Sequence, residues 1–266
     1  DNHPAISRRR IAMSTSRTRR QALRAAVAMA GSAGGLADAA GAPASAGTER
    51  PAVPLAASAR QALDAGLQAI VDDAARPLPS LGVIAVRDGQ PVYEAHFGRR
   101  SILHGLPADE HTLYRVASIS KLVVAIAVMQ LVERGHLDLE ADVGPLLGGT
   151  LRHPAHPGQP ITARMLLTHT SSLRDPGDLI GYGGAPTLLA ALGHADARRS
   201  FWSTRAGQAP QDRHFHYANV NTVVLATLIE RLSGQRFDRH MRREVLEPLR
   251  LRGGWHPATD LAPADW

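Results

Sequence analysis

The sequence contains no cysteine, which excludes disulfides, a thiolate nucleophile and cysteine-based zinc sites. Aromatic residues make up only 4% of the chain, so a core must be filled mainly by Ala, Val and Leu. With 44% apolar residues in 266 positions, the chain is long enough for one large domain or two small ones. Lysine is nearly absent too, because 29 of the 30 basic side chains are arginine and Lys121 is the single exception.

The formal net charge of +6 comes mostly from the N-terminal part of the chain. Residues 1–50 hold 8 basic and 3 acidic side chains, whereas residues 51–266 hold 22 basic and 21 acidic side chains. A body that is nearly neutral lacks the electrostatic footprint needed to bind a phosphate backbone. We therefore expect no nucleic-acid partner.

Residues 1–46 are typical of an export signal that is removed during transport. The chain starts with Asp, so we expect residues 1–12 to be upstream read-through and Met13 to be the start. Residues 18–24, Thr-Arg-Arg-Gln-Ala-Leu-Arg, resemble a twin-arginine signal, and a mildly apolar stretch follows. That stretch is too short and too polar for a membrane-spanning helix. We predict a periplasmic or secreted protein without stable membrane insertion; the alternative is a disordered Arg/Ala-rich tail.

The rest of the chain is predicted to contain a linker over residues 47–57, a helix and hairpin over 58–100, and a helical part over 101–266. The helix spans residues 58–75, with apolar side chains on one face. An Asp-Gly turn signal between two short apolar runs predicts the hairpin. Its strands are expected at residues 81–86 and 92–97.

Residues 118–134 read as a helix that is apolar on almost every side and ends at Gly135. A helix of that kind is usually buried in a core, and burial would desolvate Lys121. Four further helices are predicted in this part, at residues 162–169, 187–199, 221–233 and 237–246.

The single lysine indicates chemistry, because it follows Ser118 by three residues. Three residues is nearly one helical turn, which places the amine beside the hydroxyl. Arginine cannot give up its proton in a protein, whereas a desolvated lysine can act as a base. We predict Ser118 as a nucleophile and Lys121 as its activating base; the alternative is a structural lysine that extends to the surface.

Tyr217-Ala218-Asn219 is the second motif, and it precedes a predicted helix. A tyrosine hydroxyl near Lys121 could share or relay a proton, and a carboxamide could hold a substrate carbonyl. The alternative is a turn in which Asn219 or Asn221 caps the helix.

Three segments together resemble the class C β-lactamases and related serine hydrolases. Residues 114–121, Tyr-Arg-Val-Ala-Ser-Ile-Ser-Lys, look like the family's active-site segment. Residues 166–173 are similar to its Leu-Leu-Thr-His-Thr-Ser-Gly-Leu, with Ser172 in place of the glycine. The third match comprises residues 215–219, 228–234 and 247–249.

This resemblance implies an α+β fold of the β-lactamase/transpeptidase type, with a helical domain beside an antiparallel sheet. It also implies acyl transfer without a cofactor, in which Ser118 attacks a carbonyl, Lys121 and Tyr217 move protons, and Asn219 orients a small-molecule or peptide substrate. The backbone N–H of Ser118 would be one oxyanion donor. The expected reaction is hydrolysis of an ester, β-lactam or peptide amide. The alternatives are a D-amino-acid-specific peptidase or carboxypeptidase, and a non-catalytic binding protein on the same fold.

One departure from the family concerns its third motif, a Lys-Thr-Gly or His-x-Gly on a strand, which supplies the other oxyanion donor. No such motif follows Tyr217. We therefore expect the C-terminal strands of the sheet to be missing from this chain.

The chain's 13 histidines raise the question of a metal site. The pairs His153/His156 and His214/His216 lie in loop sequence without a carboxylate at helical spacing. We expect solvated loop histidines and no bound metal.

Overall fold

The computed structural model describes residues 55–175, 188–193, 201–256 and 260. These residues fall into two compact units, the first ending at Leu113 and the second beginning at Tyr114. The predicted export signal lies outside the described residues. Among the residues that are described, no helix combines the length and hydropathy needed to cross a membrane.

The first unit contains one helix and a three-stranded antiparallel sheet in the order β1-β2-β3. The predicted hairpin is confirmed and its strands are longer than expected. Asp88 and Gly89 have φ of 52° and 76°, and Arg87 pairs with Gln90 across them. Positive φ at both central residues is the conformation that fits the twist of a two-residue hairpin. The elements are α1 (Ala57–Val71), β1 (Ser80–Arg87), β2 (Gln90–Ser101) and β3 (Leu106–Pro107).

Helix α1 packs on β2 through Tyr93, which is buried. The Tyr93 hydroxyl donates to Asp64 of α1 at 2.6 Å, and the Arg60 guanidinium lies over its ring. Burial and the neighbouring Asp64 carboxylate raise the pKa of Tyr93 to about 12. The helix ends four residues before the predicted position, because the Asp73 carboxylate accepts the backbone N–H groups of Ala75 and Arg76.

The second unit is helical and is organised around its long helix α6, which contacts α2, α3, α4 and α7. Most of its inward side chains, such as Val224 and Leu228, are fully buried. The elements are a 3-10 turn (Ala117–Ile119), α2 (Ser120–Glu133), α3 (Val143–Leu146), α4 (Ala163–Leu167), α5 (Leu188–Leu192), a 3-10 turn (Pro210–Asp212), α6 (Asn219–Ser233), α7 (Phe237–Met241) and a π-helical turn (Arg242–Leu246).

Both long helices end at the glycine that the sequence indicates. Gly135 and Gly234 have φ of 71° and 67°, a conformation that glycine adopts without a steric penalty. At the end of α2, Gly135 N–H donates to Val132 C=O, and His136 N–H donates to Leu131 C=O at 2.9 Å. These two bonds form a Schellman motif and satisfy the last carbonyl groups of the helix.

The expectation that α2 is buried on every side is wrong within the described residues. One face of α2, which includes Val128 and Leu131, is buried against α6 and the π-helical turn. On the opposite face Leu122 is 65% exposed and Met129 is 41% exposed. Apolar composition alone cannot tell which face of a helix meets a neighbour, because that depends on the tertiary packing.

Candidate active site

Ser118 lies in the 3-10 turn that leads into α2, and it is exposed. The preceding residue, Ala117, has φ of 44°, which is unusual for a residue with a Cβ. The Ser120 hydroxyl donates to Ala117 C=O at 2.6 Å and holds this conformation. Strained backbone of this kind is concentrated at functional sites. The turn presents the Ser118 hydroxyl at the start of the helix, where backbone N–H groups lack intrahelical acceptors.

Lys121 lies beside Ser118, as its spacing predicts. Its Nζ is 3.1 Å from Ser118 Oγ and 2.8 Å from Asn219 Oδ1, and it donates to both. Lys121 is half-buried and Ser118 is exposed, so the expected burial of this pair is wrong within the described residues. The neighbours of the amine are polar groups and one aromatic ring, since Nζ also lies 5.1 Å from the centre of the Tyr217 ring.

Tyr217 contacts both Ser118 and Lys121. Its hydroxyl donates to Ser118 Oγ at 2.6 Å. Hydrogen bonding by Lys121, and then by Ser118, holds the pKa of Tyr217 below its ordinary value of 10.0. Those bonds favour the phenolate, so a larger fraction of Tyr217 is in the form that can accept a proton than in water.

Asn219 is the first residue of α6 and is held by Asp175. The Asp175 carboxylate accepts the backbone N–H and the Nδ2–H of Asn219, each at 2.8 Å, and the backbone N–H of Val220 at 2.9 Å. Asp175 therefore caps the helix, a role that the sequence suggested for Asn219 or Asn221. The Asn219 side chain connects Asp175 to Lys121.

His169 supports the segment that carries Tyr217. Its ring lies 4.7 Å from the Tyr217 ring, and its Nδ1 accepts the backbone N–H of Ala218 at 3.3 Å. The Nδ2 group of the buried Asn221 lies 3.1 Å from the same nitrogen. Burial, followed by the positive charge of Lys121, lowers the pKa of His169. A neutral ring with an unprotonated Nδ1 fits both contacts.

The sequence-predicted residues Ser118, Lys121, Tyr217 and Asn219 therefore come together in one group. Sequence reasoning missed the contributions of Asp175 and His169. His169 had a usable signal, because it belongs to the segment at residues 166–173 that resembles the family. Asp175 had none, since nothing in its local sequence indicates a contact 44 residues away.

The histidine pairs differ from the sequence-based expectation in one respect. His153 is not solvated: it is buried, its Nε2 lies 2.8 Å from Ser203 C=O, and its ring meets Trp202 edge-on. His214 and His216 are exposed, as expected. In the part of the chain that the structure describes, no three His, Asp or Glu side chains are grouped as metal ligands.

Known proteins are similar to this chain in sequence and in fold. The beta-lactamase family matches residues 55–266. Esterase EstB of Burkholderia gladioli is 32% identical over 207 residues, which are 71% of this chain and 50% of the esterase. Penicillin-binding protein 4* of Bacillus subtilis strain 168 is 27% identical over 62% of this chain and 35% of its own length.

Among solved structures, the octameric penicillin-binding protein homologue from Pyrococcus abyssi matches with a TM-score of 0.52 and 30% identity. The match covers 65% of this chain and 39% of that one. The chain thus spans half or less of the length of these relatives. The fold is α+β, of the β-lactamase/transpeptidase type, and the chain belongs to the beta-lactamase family.

Proposed function

We propose that the protein carrying this chain is a serine hydrolase that forms an acyl-enzyme on Ser118. The observation that carries the proposal is the contact of one hydroxyl with two proton-transfer groups, Lys121 at 3.1 Å and Tyr217 at 2.6 Å. A serine hydroxyl is a weak nucleophile until a neighbouring base takes its proton. Both neighbours are within the distance at which that transfer occurs.

In the proposed reaction Ser118 Oγ attacks the substrate carbonyl carbon while its proton passes to Tyr217 or Lys121. The tetrahedral intermediate then collapses, the bond from carbon to the leaving group breaks, and the leaving group takes up that proton. Water attacks the carbonyl carbon of the resulting Ser118 ester and gives a proton to the same base. The bond from that carbon to Ser118 Oγ then breaks, Oγ takes the proton back, and the acid is released. The backbone N–H of Ser118 would stabilise the oxyanion in both halves.

Asn219 can take part in substrate binding while it holds Lys121. Its Nδ2 carries two N–H groups, and one of them is donated to Asp175. The second N–H is the group that would meet a substrate carbonyl oxygen. The predicted role of Asn219 therefore needs no rearrangement of its contacts.

An ester is the substrate class that we favour. The relative with 32% identity is named as an esterase, and an ester has a better leaving group than an amide. The second candidate is an amide of a D-amino acid. It is favoured by fold alone, since the D-amino acid amidase of Ochrobactrum anthropi SV3 matches with a TM-score of 0.56 at 20% identity. Hydrolysis of p-nitrophenyl butyrate and of D-phenylalanine amide by the same protein separates the two.

The covalent step is tested with a fluorophosphonate probe, which reacts with activated serines. We expect labelling at Ser118 and none in Ser118→Ala, with Ser101→Ala, a change in β2, as the matched control that retains labelling. Labelling that persists in Ser118→Ala would contradict the assignment. Absence of labelling in the parent protein would favour a non-catalytic binding protein.

We also propose export by the twin-arginine route, on the basis of Arg19 and Arg20. That route requires the arginine pair itself, so Arg19→Lys with Arg20→Lys should keep the protein in the cytoplasm. The control is the same exchange at Arg17 and Arg24, which flank the pair in the predicted signal. Normal export of the first variant would contradict the proposal, and fractionation followed by immunoblotting measures it.

A further inference from the structure

Asp175 holds the start of α6 by backbone and side chain together. Its two carboxylate oxygens accept three hydrogen bonds. Two come from backbone N–H groups and one comes from Asn219 Nδ2. The residues are 44 positions apart, so the contact is tertiary and is not a local turn. A cap needs only the backbone bonds. The bond to the Asn219 side chain needs another explanation.

That bond decides which way the Asn219 amide faces. A carboxylate only accepts hydrogen bonds, so the amide turns its NH2 group toward Asp175 and its oxygen away. The oxygen then accepts from Lys121 Nζ at 2.8 Å. If the amide were flipped, its NH2 group would face the Lys121 amine and its oxygen would face the carboxylate. Both bonds would be lost.

The position of the Asn219 oxygen also determines where the lysine lone pair can point. A neutral lysine amine carries two N–H groups and one lone pair. Once Oδ1 holds one N–H, rotation about the last bond of Lys121 is restricted. Ser118 Oγ lies 3.1 Å from the same nitrogen, in reach of the lone pair.

We propose that Asp175 is a positioning residue that orients the Asn219 amide, and through it the Lys121 amine, toward Ser118. Its effect on rate rests on the proposed function of the site. The order of contacts, from Asp175 through Asn219 to Lys121, does not depend on that function.

The charge of Asp175 adds a signature that helix capping alone would not give. Hydrogen bonding with Lys121 and with Ser118 lowers the pKa of Tyr217, and the negative charge of Asp175 opposes that lowering. Asp175→Asn removes the charge, so the pKa of Tyr217 should fall further. The rising limb of the pH–rate profile should then move to lower pH.

The first test measures the rate constant for fluorophosphonate labelling of Ser118 in four forms: the parent protein, Asp175→Asn, Asn219→Ala and the double variant. We expect each single change to slow labelling by about 10- to 100-fold, because the reacting groups are misplaced. The double variant should be about as slow as Asn219→Ala alone, because Asp175 acts through Asn219. Losses that multiply in the double variant would overturn the proposal.

Asp212→Asn is the matched control for loss of a capping carboxylate. Asp212 accepts the backbone N–H of Ala209 at 2.8 Å at the start of the second 3-10 turn. Both Asp variants should lower the Tm by a few degrees. Only Asp175→Asn should change the labelling rate and the pH profile. An equal loss of rate in Asp212→Asn would show that general stability is what matters.

The second test does not depend on activity. In protein grown with 13C-labelled lysine, Lys121 gives the only lysine signal of this chain. The Lys121 Cε signal should move in Asp175→Asn and in Asn219→Ala, and should stay in place in Asp212→Asn. If the fluorophosphonate does not label Ser118 in the parent protein, the proposed function is contradicted. The Lys121 Cε signal would still test whether Asp175 positions the lysine. An unmoved signal in Asp175→Asn would overturn its positioning role.

Discussion

Ser172 stands in a backbone conformation that suits glycine, the residue found there in the family's motif. Its φ is 67°, and its buried hydroxyl has no hydrogen-bond partner among the described residues. Ser172→Gly should therefore raise the free energy of unfolding, by about 1 kcal/mol, because it removes both penalties. Denaturant unfolding measures this. Gly234→Ala, at the same φ with free space around it, should cost about 1 kcal/mol. A loss of stability in Ser172→Gly would contradict this explanation.

Lys121 can serve as a base only in its neutral form, and arginine cannot replace it in that role. Lys121→Arg keeps the positive charge and should slow turnover and Ser118 labelling by about 10² to 10⁴-fold. The unfolding midpoint should change little, because the site is exposed to half-buried. Arg164→Lys, the reverse exchange at an exposed ion pair with Glu140, should leave the rate unchanged. A near-parental rate in Lys121→Arg would show that charge alone suffices.

At the residue scale, the sequence predicted the chemistry better than the supporting contacts. Rarity made Lys121 conspicuous, and its spacing from Ser118 placed the two groups together. Tyr217 and Asn219 were identified by motif. Asp175 could not be found in this way, because its role depends on a fold that brings distant segments into contact.

At the scale of elements, α2 shows that a helix with apolar residues all round need not be buried all round. Leu131 and Leu122 lie on its two faces, at 2% and 65% exposure. Leu131→Ala should cost about 2–5 kcal/mol of unfolding free energy, since it leaves a cavity in the core. Leu122→Ala should cost no more than about 0.5 kcal/mol. An equal cost at both positions, measured by denaturant unfolding, would mean that the second face is covered as well.

The ends of the elements followed local signals where such signals existed. Gly135, Gly234 and the Asp88-Gly89 turn were readable because glycine tolerates positive φ. The early end of α1 and the early start of α6 could not be predicted from the sequence. In those two places a carboxylate side chain captures backbone N–H groups, and the helix boundary depends on that contact.

For the molecule as a whole, a buried histidine makes stability depend on pH near neutrality. His240 is 2% exposed, and neither ring nitrogen has a hydrogen-bond partner among the described residues. Burial lowers its pKa; the positive charges of Arg134 and Arg243 add to this, and Glu244 acts in the opposite direction. The unfolded chain therefore binds a proton below about pH 6.5 that the folded chain does not bind.

Stability should fall as the pH drops below about 6.5, by up to roughly 1.4 kcal/mol per pH unit for this one group. His240→Leu should reduce that dependence between pH 5 and 7, and the lowered pKa of His169 should leave a residual slope of the same sign. Carboxylates with lowered pKa, such as Asp142 and Glu244, contribute stability that is lost only below about pH 4, so they do not obscure this window. Denaturant midpoints at pH 5.5 and 7.5 measure the effect, with exposed His214→Leu as the control. The same slope in His240→Leu would assign the dependence to another group.

Fold class at this scale was readable from motif order, because three segments in sequence identify the family. The sequence predicts a helix-and-hairpin part that ends at residue 100, whereas the first unit ends at Leu113. The packing around α6 could not be predicted, since it depends on contacts between helices whose faces the sequence leaves ambiguous.

The lone lysine has one more consequence, for anyone who handles the protein. Dyes, cross-linkers and activated resins that target primary amines usually react with many surface lysines and spare the active site. In this chain the one lysine that they can modify is Lys121, whose Nζ lies 3.1 Å from the proposed nucleophile. Routine conjugation would therefore act as selective inactivation, and attachment through carboxylates or an introduced cysteine is the chemistry that preserves the site.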